Sequence, residues 1–168
     1  TDAMVSFALE IRPECVLLVP EGREEVTTEG GLDVRGQKEN VGHAVKTLKA
    51  AGIEVSLFID SNEEQIQASA AIEADMVELH TGPFANAKSV QALESEVIRL
   101  VEGANQGHEL GLAINAGHGL NYHNLKHLLR VPHLHELNIG HSIISRALFV
   151  GINQAVRDMK TLMATYQR

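Results

Sequence analysis

Cysteine is nearly absent. Cys15 is the single thiol among 168 residues, which excludes an internal disulfide framework and any cysteine-rich zinc module and fits a reducing cytosol. Basic side chains are scarce as well. Fourteen Lys and Arg against 22 Asp and Glu leave a formal charge of -8 with histidine neutral, a poor basis for a general grip on nucleic-acid phosphates, though local anion sites are a separate matter. Long apolar runs are missing: Cys15–Pro20 is among the longest and is far too short to cross a bilayer. No opening segment joins a basic region, an apolar stretch and a small-residue cleavage site. These absences lead to the expectation of a cytoplasmic protein with neither a nucleic-acid nor a membrane partner. No low-complexity linker or charge block divides the chain, and no GxGxxG or P-loop pattern occurs, so a nucleotide cofactor has no local support. What is present is ordinary globular material. With 44% apolar and 21% charged residues there is enough for one sizeable core, and a single domain over 1–168 is the simplest organisation.

Short apolar runs alternate with longer amphipathic stretches. Cys15–Pro20, Val55–Ile59, Met76–His80, Leu112–Ala116 and Glu136–Ile139 read as strands, and their near-continuous apolar character suits strands covered on both faces. Thr1–Ile11 reads as an opening helix. Val41, Val45 and Leu48 recur at helical spacing until Gly52 stops them, and Ser61 with Glu64 forms a capping box for the helix carrying Ile66, Ala70 and Ile72. A long helix runs from about Ala87 to Glu109, closed by Gly111. Asn121 caps a short helix ended by Pro132, and a last helix spans about Ser142 to Thr165 with Ile144, Leu148, Phe149, Ile152, Val156 and Met159 on its inner stripe.

Strands that each precede a helix predict a parallel sheet with right-handed crossovers. Length favours an open doubly wound sheet, since an eight-fold barrel needs about 250 residues. The distribution of polar turns favours a barrel. They follow almost every strand end, at Pro20-Glu21, Asp60, Glu78 to Gly82, Asn115 to Gly119 and Asn138 to His141, whereas an open sheet concentrates its site at one switch point.

The segment Asn115-Ala116-Gly117-His118-Gly119-Leu120 sets a histidine between glycines at a strand end. Glycines leave peptide N–H groups free to meet an oxyanion, and His118 can exchange a proton near neutral pH; the plainer reading is a flexible turn with an exposed ring. In Glu136-Leu137-Asn138-Ile139-Gly140-His141-Ser142 a glycine turn opens the last helix, the place where barrels often hold a phosphate; the alternative is a plain turn capped by Ser142. Glu78 and His80 share one face of their strand by period two. A buried carboxylate there favours a site role for Glu78, while His80 reads as half of a structural ion pair. The polar stretch Pro20–Asp33 reads as a lid with threonine hydroxyls for a ligand. His123 and His127, four apart, suit two ligands of one ion, but no acidic residue between them makes a zincin pattern and no metal is expected.

The order of the motifs LVPEGREEVTTEGGLDV (18–34), VSLFID (55–60), VELHTG (77–82), NAGHGLNYHN (115–124) and HELNIGHSII (135–144) resembles the pyridoxine 5'-phosphate synthase family over nearly the whole chain. The resemblance implies a (β/α)8 TIM barrel that condenses 3-amino-2-oxopropyl phosphate with 1-deoxy-D-xylulose 5-phosphate to give pyridoxine 5'-phosphate, phosphate and water. It places His118 on the family's proton-donating histidine and Gly119 on a substrate-binding glycine. Gly140 and His141 fall on the pair whose backbone holds a substrate phosphate, Thr27 on a ligand-contacting threonine of the closing loop, and Glu78 on an acidic group lining the pocket. It implies small phosphorylated substrates, no cofactor, and assembly as a homo-oligomer, an octamer. The family's first three strands, with further acid–base residues, have no counterpart before Thr1, so the chain is expected to carry about the last five strand–helix units. The competing readings are another phosphate-binding barrel isomerase or lyase and a non-catalytic phosphate-ligand-binding protein. An isomerase or aldolase that forms an imine on its own lysine is disfavoured because Lys46, Lys49, Lys88, Lys126 and Lys160 all fall in predicted helices.

Overall fold

Branched apolar residues at every second position build the five strands β1 (Cys15–Leu18), β2 (Glu54–Ile59), β3 (Met76–His80), β4 (Ala113–Gly117) and β5 (Leu134–Asn138). The computed structural model describes residues 1–20 and 30–166. All neighbouring strands pair in parallel, in the order β1-β2-β3-β4-β5. That order decides between the two architectures. A doubly wound sheet must reverse its strand order at a switch point, whereas here each crossover advances one strand in the same direction, which is the winding of a TIM barrel.

Parallel register aligns side chains across the sheet. Val55, Leu57, Ile59, Val77, Leu79, Ile114 and Ala116 occupy one face and are buried in the apolar core, together with Val45 and Leu48 of α2 (Lys38–Ala50), Ile66 of α3 (Glu63–Ala71) and Val97 and Leu100 of α5 (Val90–Glu109). The alternate positions belong to the opposite face. They carry Ser56, Phe58, Glu78, His80, Asn115 and Gly117, with Phe58 level with Glu78 and His80 level with Gly117. Strands β2 to β4 are buried on both faces, as expected, but only the helix-covered face is apolar throughout; the other carries buried polar side chains.

Several local expectations also change. The cap of α3 is Asn62, whose side chain accepts from Gln65 N at 3.0 Å, while the Ser61 hydroxyl donates to the Arg99 carbonyl at 3.0 Å; the expected capping box is replaced by a simple cap one residue later. A short helix α4 (Gly82–Ala85) follows β3 directly. α5 begins at Val90, capped by Ser89, and ends before Gly111, whose φ is +83°. Asn121 Oδ1 accepts from the backbone N–H groups of His123 and Asn124, forming a turn ahead of α6 (Leu125–Leu128) rather than its cap. The last helix is two, α7 (His141–Val150) and α8 (Ile152–Met163), separated by Gly151 at φ +79° and ψ +152°. Its inner stripe divides accordingly. Met159 is buried, whereas Leu148 and Phe149 are 81% and 89% exposed. The opening helix α1 (Asp2–Ile11) buries no residue fully and presents Met4, Phe7 and Ile11 to solvent. Among the described residues, no helix is long and apolar enough to cross a membrane.

Candidate active site

The residues carrying polar chemistry gather at the C-terminal ends of the strands, which parallel winding sets along one rim. β4 ends in Gly117 and turns at His118 and Gly119, both with left-handed φ, +82° and +76°. Glycine adopts that conformation at little cost; histidine does not. The turn is held by its neighbours. Thr81, buried at the end of β3, has its hydroxyl 2.6 Å from the Gly117 carbonyl and 2.5 Å from that of His118, and its N–H donates to Gly117 O at 2.9 Å. Asn124 Nδ2 donates to Gly119 O at 3.0 Å.

The same turn is tied to the one after β5. The Ser142 hydroxyl, a helix cap only in the plainer alternative reading of this turn, donates to Leu120 O at 2.8 Å; the N-cap of α7 is Gly140, with no side-chain cap bond. This bond draws together the two glycine turns that the sequence singled out. His118, Gly119, Asn138, Gly140 and His141 line one cleft of about 490 Å³, floored in part by Leu120. A helix that begins in such a cleft directs its uncapped first-turn N–H groups and its positive dipole end toward an anion.

Glu78 lies behind this cleft. Its side chain is on the polar face of β3, 4% exposed, and Asn138 Nδ2 of β5 donates to its Oε2 at 2.6 Å. Burial pushes its carboxyl above the ordinary carboxylate value; the Asn138 bond opposes this, and the negative charge of Glu136 adds to it. A carboxyl in that state can hold or release a proton near the cleft. Gly117 makes room for it, since a side chain at 117 would overlap the Glu78 carboxylate.

His80, expected in a structural ion pair, has Asp60 as its partner: Nδ1 lies 2.9 Å from Asp60 Oδ1. That hydrogen bond holds the Asp60 carboxyl below its ordinary range against a smaller upward push from burial, with the backbone N–H of Gly31 also donating to it. The ring of His80 stands edge-on to that of His118 at a centroid distance of 5.3 Å, and Phe58 packs against both. Sequence reasoning missed the roles of Asp60, Thr81 and Asn138. The available signal was their position, each at a strand end and level with a singled-out residue on the next strand.

Thr27, and the part of the lid reading that covers 21–29, lie outside the described residues. The pairing of His123 and His127 on one helix is corrected, because α6 begins at Leu125 and leaves His123 in the preceding turn. No group of three or more His, Cys, Asp or Glu side chains able to hold a metal ion occurs among the described residues. Lys88, placed in a helix by its pattern, sits exposed in the connection between α4 and α5. A larger groove, of about 760 Å³, runs between α1 and β1 and is lined mainly by apolar residues, with none of the chemistry-bearing side chains.

A family model described as pyridoxal phosphate biosynthesis protein PdxJ matches residues 1–165. Among curated relatives, the protein named pyridoxine 5'-phosphate synthase from Photobacterium profundum is 55% identical over 168 residues, covering 100% of this chain and 69% of its own length. Proteins of the same name from Opitutus terrae and Pseudoalteromonas translucida are 55% and 52% identical, over 97% of this chain in each case and 66% and 67% of their own lengths. The chain thus spans about two thirds of the length of the curated relatives it matches.

Proposed function

Because this chain belongs to the pyridoxal phosphate biosynthesis protein PdxJ family, we propose that the whole protein is a pyridoxine 5'-phosphate synthase. It condenses 3-amino-2-oxopropyl phosphate with 1-deoxy-D-xylulose 5-phosphate in vitamin B6 biosynthesis, releasing phosphate and water. The observation that carries the reading is the single cleft shared by His118, Gly119, Gly140 and His141. In the proposed chemistry the amine of one substrate attacks the ketone of the other. An imine forms, oxygen leaving groups depart as water and phosphate, and ring closure with aromatisation follows. Every step moves protons.

His118 acts as the general acid for departing oxygens. Backbone donors at Gly119, Gly140 and His141 hold a substrate phosphate at the start of α7, which fixes the reacting carbon near the imidazole. Glu78, behind the cleft and joined to it through Asn138, is the acidic group of the pocket in this reading. In this reading Thr27 contributes a contact to the ligand.

We extend the proposal to assembly and location. The exposed apolar residues Leu148 and Phe149 support homo-oligomeric assembly, with the octamer as the expected form. The free, exposed thiol of Cys15 supports a reducing cytoplasm.

The test is a coupled assay for pyridoxine 5'-phosphate with the complete protein. His118→Ala is expected to lower turnover about a hundredfold or more while substrate binding persists. Turnover of the variant at the parental rate would refute the acid role, and consumption of neither substrate by the parent would refute the activity.

A further inference from the structure

Two side chains of the rim that the proposed chemistry leaves unused, Asp60 after β2 and His80 ending β3, stand in line with the His118 that it uses, on the next strand end after β4. His80 is 2% exposed, too enclosed to touch a substrate. One of its ring nitrogens is committed, Nδ1 at 2.9 Å from Asp60 Oδ1. An ionised carboxylate can only accept, so Nδ1 carries the proton in that bond. The other nitrogen, Nε2, is buried with no hydrogen-bond partner among the described residues, and a side chain at Gly82 would overlap it. Leaving a buried polar atom unpartnered is costly, and a ring wanted only for packing would be served as well by an apolar side chain. The ring also has a neighbour that the proposed chemistry uses. Its edge-on neighbour, at 69° between planes, is His118, with Phe58 closing the remaining side of both rings.

Resting on the reading of His118 as the general acid, we propose that Asp60 and His80 are a positioning pair for His118, Asp60 fixing the tautomer and plane of the His80 ring and that ring fixing the orientation of the His118 imidazole toward the cleft. Two further observations fit this role. His118 has a left-handed backbone that places its side chain without help from a regular element, so its orientation must come from side-chain neighbours. Asp60 is itself anchored, because the Gly31 N–H donates to it and any side chain at Gly31 would overlap the Ile59–Asp60 backbone.

Asp60→Asn tests the pair in the complete protein, since it keeps shape at a partly exposed position while replacing the carboxylate with a neutral amide, a weaker acceptor that can also turn its donor toward Nδ1 and so no longer fixes the His80 tautomer. The expected result is a loss of kcat of about tenfold to a hundredfold, with KM for both phosphorylated substrates within about twofold of the parent. In a His118→Ala background the same substitution is expected to change the residual kcat less than about twofold, because the pair then has nothing to position. Imidazole ¹H–¹⁵N spectra give a second readout: His80 is expected to pass from the Nδ1–H tautomer in the parent to exchange-averaged signals in Asp60→Asn. Unchanged kcat in Asp60→Asn, or an equal loss with and without His118, overturns the proposal while leaving the acid role intact. Parental turnover in His118→Ala alone would instead remove the reading on which the pair depends. His80→Gln is the companion variant and must reproduce the loss of kcat at unchanged KM; parental kcat in His80→Gln overturns the proposal as well.

Discussion

Asn138 at the end of β5 donates a hydrogen bond of 2.6 Å to Glu78 on β3, although β4 lies between the two strands. The bond is possible because the position of β4 level with Asn138 is Gly117, where a side chain would overlap the Glu78 carboxylate. A glycine that looks like part of a loop motif is thus required inside the sheet. It lets two side chains meet across a strand and holds a carboxyl close under the turn carrying His118. Here the glycine acts through the space it leaves, not through the φ it allows.

Glu78 makes stability depend on pH with a definite sign. Its folded-state affinity for protons is raised, chiefly by burial, so the folded chain binds more protons than the unfolded one as pH rises past the ordinary value of 4.5. Stability attributable to this group is therefore greatest below that value and declines as pH rises through the higher folded-state value. Glu78→Gln keeps the shape and can still accept from Asn138. The variant is expected to match the parent in thermal unfolding below about pH 4 and to exceed it at neutral pH by about 1–3 kcal/mol, the scale of an imperfectly compensated buried polar group. Turnover is expected to fall. Thermal unfolding from pH 3 to 8 checks this, and a stability difference constant across that range would remove Glu78 as its source.

Much of the architecture was legible because apolar runs and glycine stops are local signals. All five strands occur within one or two residues of where their branched residues place them, and Gly52 and Gly111 end helices with the left-handed φ expected of them. Alternation within the strands was harder to read. Ser56, Glu78, His80 and Asn115 are buried polar residues, and only the register shows that they form one face of the sheet. The site was partly legible: the two glycine turns stand out as motifs, but the Ser142–Leu120 bond that joins them spans 22 residues and has no sequence signature. Asp60 was visible only as a polar residue in a turn, because its partner, His80, lies 20 residues away on another strand.

The break between α7 and α8 was missed because apolar residues keep a helical period straight through it and one glycine is tolerated in a helix interior. At φ +79° and ψ +152°, however, Gly151 occupies a region essentially closed to other residues. Gly151→Ala is expected to destabilise the protein by about 1–3 kcal/mol. It should also weaken the packing that joins the two helices, where Arg146 pairs with Asp158. Chemical denaturation checks the magnitude, and amide exchange checks the place: protection is expected to fall in 141–163 first. An alanine variant as stable as the parent would mean that the two helices merge without strain.

His118 sets a conformational cost against a chemical need. Its φ of +82° suits glycine, and an L-residue held there gives up about 1–2 kcal/mol. Alanine at 118 would keep that strain and lose the ring contacts with Phe58 and His80; glycine would lose the contacts and relieve the strain. The expected order of stability therefore places His118→Gly above His118→Ala by about 1 kcal/mol, with both far below the parent in turnover. Only a backbone held left-handed for the sake of its side chain predicts that the smaller substitution is the more stable one. If thermal unfolding ranked alanine at or above glycine, the strain would not reside at this residue, and the turn would have to be held open by Gly119 alone.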